Sequence, residues 1–139
     1  MSDTALLYPL FAMVFVTFGA SFWLISARFK AAKAGETKLS YFKFNQGETP
    51  NYAKQAEQHY INLFEMPVLF YVLILLAFVT QITHFGLIIL AWMYVAMRLA
   101  HTYVHLGSNH VLHRMRTFLA SKIILVLMWL WVLIAVVMR

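Results

Sequence analysis

Four long apolar segments, separated by short polar stretches, make up most of the chain. Each is close to the length of about 20 residues that an α-helix needs to cross the hydrocarbon core of a bilayer. The pattern predicts an all-α integral membrane protein with a single domain over residues 1–139, built as a bundle of four transmembrane helices. The predicted spans are Ala5–Ala27, Ile61–Thr80, Phe85–Leu106 and Phe118–Met138.

The composition agrees with a membrane protein. Hydrophobic residues make up 63% of the 139 residues and charged residues 12%, and a soluble domain of this size could not bury so much apolar surface. The chain contains no cysteine. Disulfides, thiolate metal ligands and cysteine nucleophiles are therefore excluded.

Lysine and arginine residues predict which side of the membrane each connection occupies. Six of them lie between the first and second spans: Arg28, Lys30, Lys33, Lys38, Lys43 and Lys54. Arg114 and Arg116 precede the fourth span, whereas the turn at Gln81–His84 has neither Lys nor Arg. Because cytoplasmic connections carry the excess of basic residues, both basic connections are expected in the cytoplasm and both termini in the periplasm. Anionic lipid headgroups are the expected partners of these residues, and nucleic acid is excluded because the charges form no separate basic domain.

Two polar stripes interrupt the second and third spans. Each contains three residues at helical spacing, so each stripe lies on one face of its helix. The stripes are Gln58, Asn62 and Glu65 on the second span, and Arg98, His101 and His105 on the third. A tight turn near Gln81–His84 would bring the two stripes together at matching depth.

The innermost pair in this register is Glu65 with Arg98. A charge inside the hydrocarbon costs roughly 2.5–3.5 kcal/mol even on lenient insertion scales, so we expect these two side chains to be in contact. The stripes could form a polar ligand pocket open to the cytosol, or a structural ion pair that fixes the register of the two helices. The pocket is favoured, because Asn62 and His101 extend the polar surface beyond what an ion pair needs.

Further polar residues lie where the fourth span begins. Arg114 could bind a carboxylate through two parallel hydrogen bonds or stabilise a thiolate, or it could anchor the helix at the lipid headgroups. Four histidines crowd the same region and raise the question of a metal site: His101, His105, His110 and His113. We expect no metal, because one subunit supplies too few further ligands for the di-iron type of site that clustered histidines form in membrane oxygenases. A histidine metal site stays open as an alternative.

Four short motifs follow one another from the second span to the fourth. They are Asn62-Leu-Phe-Glu65 followed by Pro67, Arg98-Leu-Ala-His101-Thr102, Leu106-Gly107, and Arg114 on the next helix. Together they resemble the MAPEG superfamily, the membrane-associated proteins of eicosanoid and glutathione metabolism. The resemblance extends from about Gln55 to Phe118, and the four-helix layout extends it over the whole chain.

The resemblance implies a homotrimer of four-helix subunits that binds glutathione, as a co-substrate, between neighbouring subunits near the cytosolic face. Asn62 and Glu65 match the Asn and Glu that contact glutathione in the family. Arg98 and His101 match the Arg and His of its third helix. Arg114 matches an Arg that stabilises the glutathione thiolate, which makes it the candidate catalytic residue.

Three positions differ from the family's pattern. Gln58 stands in place of an Arg that binds glutathione in many members, His105 in place of a Tyr, and Phe118 in place of another Tyr near the ligand. By position, Gln58 and His105 still belong to the candidate binding site. We expect a transferase or peroxidase-like protein of a bacterial inner membrane, which uses glutathione or a related thiol on lipophilic electrophiles. The alternative is a non-enzymatic subunit or assembly partner of a larger membrane complex, whose active site has decayed at these positions.

Overall fold

Helices account for nearly all of the regular structure. The computed structural model describes residues 3–139. Within these residues the structure has five α-helices: α1 Leu7–Lys33, α2 Asn51–Asn62, α3 Met66–Val79, α4 Phe85–Leu106 and α5 Val111–Val137. Short 3₁₀ turns lie at Asp3–Leu6 and Leu39–Lys43, and the described residues contain no strand.

The described part of the chain contains four helical spans that are long and apolar enough to cross a membrane, as predicted. The first is α1 with the turn before it, the second combines α2 and α3, and the others are α4 and α5. The protein is therefore a multi-pass membrane protein. α1 continues to Lys33 rather than ending at Ala27, and α5 begins at Val111 rather than Phe118. Lys and Arg are good helix formers, so both helices continue past the apolar stretch into the basic residues beside it.

The second span is interrupted near its start, although the sequence predicts an unbroken helical span over Ile61–Thr80. α2 ends at Asn62, and α3 begins at Met66 after a turn in which Glu65 adopts φ −94° and ψ −98°, outside the helical region. Pro67 follows in the first turn of α3, where its missing N–H costs no helical hydrogen bond. The turn pairs its own backbone groups, with the amide of Phe64 donating to the carbonyl of Ile61 at 3.0 Å. The predicted continuous helix is therefore wrong at residues 63–65.

The core lies around α4, which packs against α5, α1 and α2. Phe70 of α3 stacks on Tyr94 of α4 with ring centroids 4.4 Å apart, and both side chains are fully buried. At the start of α4, Gly86 lies so close to Trp131 that a Cβ atom there would be 2.6 Å from the indole ring. This close approach holds the beginning of α4 against the second half of α5.

The connection between α1 and α2 folds back onto the two helices. Tyr41 is buried and donates a hydrogen bond to a carboxylate oxygen of Glu57 at 2.9 Å. Arg28 lies 3.6 Å from the same carboxylate and donates to Asn45 Oδ1 at 3.3 Å. We call these four residues the connection network. Burial first, and then the hydrogen bond to Glu57, raise the pKa of Tyr41 above its ordinary value.

Candidate functional site

A cavity of about 420 Å³ lies between α2, α4 and α5, at the end of the bundle where α4 passes into α5. Five of the seven predicted site residues line it: Gln58, Asn62, His101, His105 and Arg114. The remaining wall is apolar and comes from the first two turns of α5. Two residues of each polar stripe therefore come together with Arg114 in one cavity.

Arg98 lies behind this cavity and is fully buried. Its Nη2 donates a hydrogen bond of 2.6 Å to Asn62 Oδ1. Its Nε and Nη1 have no hydrogen-bond partner among the described residues. Asn62 thus links a buried guanidinium to the surface of the cavity, and among the described residues it is the one side chain that accepts a hydrogen bond from Arg98.

Glu65 does not occupy its predicted place. Its side chain is exposed, and the one ion pair within 4.0 Å among the described residues joins Arg28 to Glu57. The predicted contact between Glu65 and Arg98 is therefore wrong in this chain. The physical reason is the break after α2, which takes Glu65 off the helical stripe and leaves Asn62, three residues earlier, to meet Arg98.

Arg114 is half-buried at the mouth of the cavity, and its side chain is held in place. Its Nη1 donates to Asn109 Oδ1 at 2.9 Å. Asn109 adopts a left-handed backbone with φ +50°, a conformation that Asn tolerates better than most residues. Arg114 therefore fastens the α4–α5 connection as well as lining the cavity. Arg116, two residues further on, is exposed on another face of α5.

His59 is a residue of this region that the polar stripes did not indicate. It is fully buried on α2, and its ring centroid lies 5.2 Å from that of His105 and 6.0 Å from that of His101. We call these three residues the histidine cluster. A second pattern in the sequence could have revealed it, because Ala53, Ala56 and His59 recur at the spacing of one buried helix face.

The histidine cluster is short of hydrogen-bond partners. Both ring nitrogens of His59 and of His105, and Nε2 of His101, have none in the part of the chain that the structure describes. The exception is Nδ1 of His101, which lies 3.2 Å from the carbonyl oxygen of Arg114 and 3.3 Å from Thr117 Oγ1. Unpaired buried polar atoms are uncommon in folded proteins, and each one suggests a missing partner.

The two other histidines of the sequence motif do not join this cluster. His110 and His113 are exposed around the start of α5, with ring centroids 4.7 Å apart. They do not line the cavity. The four-histidine group suggested by spacing thus separates into two buried and two exposed residues, and His59 completes the buried set.

A family model described as the MAPEG family matches residues 6–134. The chain belongs to the MAPEG family. The match covers nearly the whole chain and confirms both the predicted family and the all-α membrane class. No curated protein and no solved structure matches the chain. Family membership makes this a multi-pass membrane protein of the glutathione and eicosanoid metabolism type.

The cavity of this MAPEG protein is suited to an anionic ligand. Arg114 contributes a guanidinium to its wall, Arg98 lies behind Asn62, and no carboxylate from the described residues lines it. The amides of Gln58 and Asn62 add donors and acceptors that can orient a polar ligand. A guanidinium in a partly buried site forms strong, charge-assisted hydrogen bonds to carboxylate or thiolate groups.

Proposed function

We propose that this MAPEG protein binds glutathione or a related thiol and uses it on lipophilic electrophiles, as a transferase or peroxidase-like enzyme. The observation that carries the proposal is the cavity itself, which combines Arg114, two amide side chains and a buried Arg98 with a wall free of carboxylates. Glutathione has two carboxylates and a thiol, so its charge complements such a wall.

Arg114 is the residue to which we assign the chemistry. A guanidinium beside a thiol favours the thiolate, which is the nucleophilic form. The thiolate sulfur would attack an electrophilic carbon and form an S–C bond, and the leaving group would depart with its electron pair. Asn62 would orient the ligand, while its hydrogen bond from Arg98 fixes the amide in one position.

An apolar groove beside the polar cavity would give the electrophile a route from the bilayer. An apolar groove of about 640 Å³ runs between α3 and α5 and is lined in part by Met66, Leu119 and Ile123. Leu119 directly follows Phe118, which lines the polar cavity. A lipophilic substrate in the groove would therefore lie next to the thiol site without crossing water.

The proposal includes a homotrimer in a bacterial inner membrane, with both termini in the periplasm. Glu65 supports the assembly, because an exposed carboxylate inside a membrane-spanning segment is costly and is usually covered by protein or paired. A neighbouring subunit would cover it at the border of the cavity. Native mass spectrometry in mild detergent tests this, and a monomer would contradict it. The orientation rests on the basic connections, and a reporter fused after Arg139 that is active only in the cytoplasm would contradict it.

Calorimetric titration of the detergent-purified protein with glutathione tests the thiol site. Loss of a charge-assisted contact costs about 1.5–3 kcal/mol, so we expect Arg114→Ala to weaken binding by at least about tenfold. Arg116→Ala should leave binding unchanged, because its side chain points away from the cavity. Asn109→Gly keeps the left-handed backbone but removes the hydrogen-bond partner of Arg114. It therefore measures how much glutathione affinity is lost when the α4–α5 connection is loosened and the guanidinium is retained.

A second candidate function, a non-enzymatic subunit of a larger membrane complex, follows from two residues of the same wall. Gln58 and Phe118 line the cavity in place of the Arg and Tyr of the family pattern. This function predicts no thiol binding by the wild type and stoichiometric foreign subunits after gentle purification. If glutathione binds neither the wild type nor a Gln58→Arg variant, the enzyme proposal fails and the subunit proposal replaces it.

A further inference from the structure

We propose that the histidine cluster is a metal site, and that His59, His101 and His105 bind a Zn²⁺ ion at the inner end of the cavity. The ligating atoms of these three residues all lie within 4.8 Å of one another. Zn²⁺ is bound by imidazole nitrogens at about 2.0–2.1 Å in a tetrahedral arrangement, which places the nitrogens roughly 3.3 Å apart. Small rotations of the rings would therefore close the site.

The backbone already presents two of the ligands together. His101 and His105 are four residues apart on α4, and so lie on one face of that helix, where two histidines can share a metal. His59 comes from α2, on the opposite side of the cluster. The side chains are between 0% and 4% exposed, so the cluster is not a group of surface histidines that happen to be neighbours.

His101 carries a second indication of a ligand. Its Nδ1 lies within hydrogen-bond distance of the carbonyl oxygen of Arg114, and a carbonyl can only accept, so Nδ1 is the protonated nitrogen. Nε2 therefore carries the lone pair, and it is the nitrogen that has no partner. Metal-binding histidines characteristically donate their other ring N–H to a carbonyl or carboxylate, which fixes the tautomer.

The fourth position of the metal would face the cavity, because His101 and His105 line its wall. Three protein ligands with one open position is the arrangement of catalytic rather than structural zinc sites. Two guanidiniums, those of Arg98 and Arg114, lie near the cluster and oppose a dication. An anionic fourth ligand would compensate for the repulsion between these positive charges and the ion. The site should therefore prefer hydroxide, a thiolate or a carboxylate to neutral water.

Neutral imidazoles packed together without a metal are the competing explanation. In that case the five unpaired nitrogens would have to be satisfied by water, and the cluster would have no special affinity for metals. The proposal goes beyond thiol transfer and does not depend on it, since the cluster would bind the ion whether or not glutathione enters the cavity.

The test measures Zn²⁺ content and Co²⁺ absorption on full-length protein carrying an affinity tag without histidine. After equilibration with excess Zn²⁺ and removal of the free ion, we expect about one Zn²⁺ per chain. The His59→Gln variant should retain almost none. A double variant of the exposed residues, His110→Gln with His113→Gln, should retain the wild-type amount, since these residues lie outside the cluster.

Co²⁺ substitution in the wild type gives an answer that does not depend on any variant folding correctly. Tetrahedral Co²⁺ absorbs strongly in the visible range, whereas octahedral Co²⁺ in solution absorbs weakly. Strong visible absorption from bound Co²⁺ that changes when glutathione or EDTA is added would support the proposed metal site. Absence of both bound Zn²⁺ and a tetrahedral Co²⁺ spectrum in the wild type would overturn the proposal. Wild-type metal content in His59→Gln, or loss of metal only in the double variant, would also overturn it.

Discussion

Glu57 of the connection network and His59 of the histidine cluster lie on different faces of α2, and the two side chains differ in how their polar atoms are paired. Glu57 accepts from Tyr41 and lies 3.6 Å from Arg28. Two residues later, His59 has no hydrogen-bond partner for either ring nitrogen among the described residues. Polar groups that satisfy one another stabilise a fold, whereas buried polar groups that lack partners point to a ligand. The comparison therefore supports a stabilising role for the face of α2 that carries Glu57, and it supports the proposed metal site on the face that carries His59.

The largest effect on stability should follow from removing the partner of Arg98. In Asn62→Leu the guanidinium stays buried and loses its hydrogen bond of 2.6 Å, which should lower the free energy of unfolding by at least about 1.5–3 kcal/mol. Thermal unfolding in detergent measures it. Asn51→Leu at the exposed start of α2 is the matched control and should change little.

A double variant sharpens this prediction. Arg98→Met combined with Asn62→Leu removes the buried charge together with its partner, and replacing a buried polar pair with apolar residues is often close to neutral. The double variant should therefore be more stable than Asn62→Leu alone. Equal melting temperatures for Asn62→Leu and Asn51→Leu would show that Arg98 is satisfied by something other than Asn62.

The next effect concerns affinity. Gln58 is exposed on the cavity wall, and an arginine there would add a charge-assisted contact to a carboxylate of the ligand. We expect Gln58→Arg to tighten glutathione binding by about tenfold, since 1.4 kcal/mol is one decade and such contacts contribute about 1.5–3 kcal/mol.

Gln55→Arg is the control for that change. Gln55 lies on the same helix but lines a different pocket, beside Trp23 and Lys30. The Gln55→Arg variant adds the same charge at nearly the same depth as Gln58→Arg does. An increase in anion affinity that comes from charge alone would therefore occur in both variants. Equal tightening by the two variants would place the ligand elsewhere than in the cavity.

The sequence was sufficient to predict the four-helix architecture and to indicate most of the polar residues that line the cavity. A long apolar segment determines a membrane span almost independently of the helices packed around it. The polar pairs Gln58 with Asn62 and His101 with His105 are local helical patterns, so they too can be recognised from spacing alone. Two features depended on more than spacing. The break at 63–65 displaced Glu65, because Pro67 makes a new helix start possible there without dictating it.

His59 escaped detection for a different reason. It belongs to the alanine-lined face of α2 rather than to the polar stripe, and a lone histidine on a small-residue face has no obvious partner in the sequence. Its neighbours His101 and His105 come from a helix more than 40 residues away. Only the packing of α2 against α4 shows that the three rings meet.

The smallest effect should come from the connection network. Tyr41→Phe removes one hydrogen bond to Glu57, whose carboxylate retains Arg28 as a partner. The free energy of unfolding should fall by about 1 kcal/mol, and glutathione binding and metal content should stay at wild-type values. A loss of binding in this variant would mean that the two faces of α2 are not independent.

The same substitution has a pH signature that distinguishes the hydrogen bond from mere packing. The pKa of Tyr41 is raised in the folded protein, so the folded state holds this proton more tightly than the unfolded chain does. Its contribution to stability is complete below the unfolded value of about 10, and it is lost as the pH rises through the folded pKa. Melting temperatures measured from neutral pH to pH 11 should therefore fall more steeply for the wild type than for Tyr41→Phe, which has no proton to lose at this position. Parallel curves for the two proteins would show that Tyr41 stabilises the connection by its ring alone.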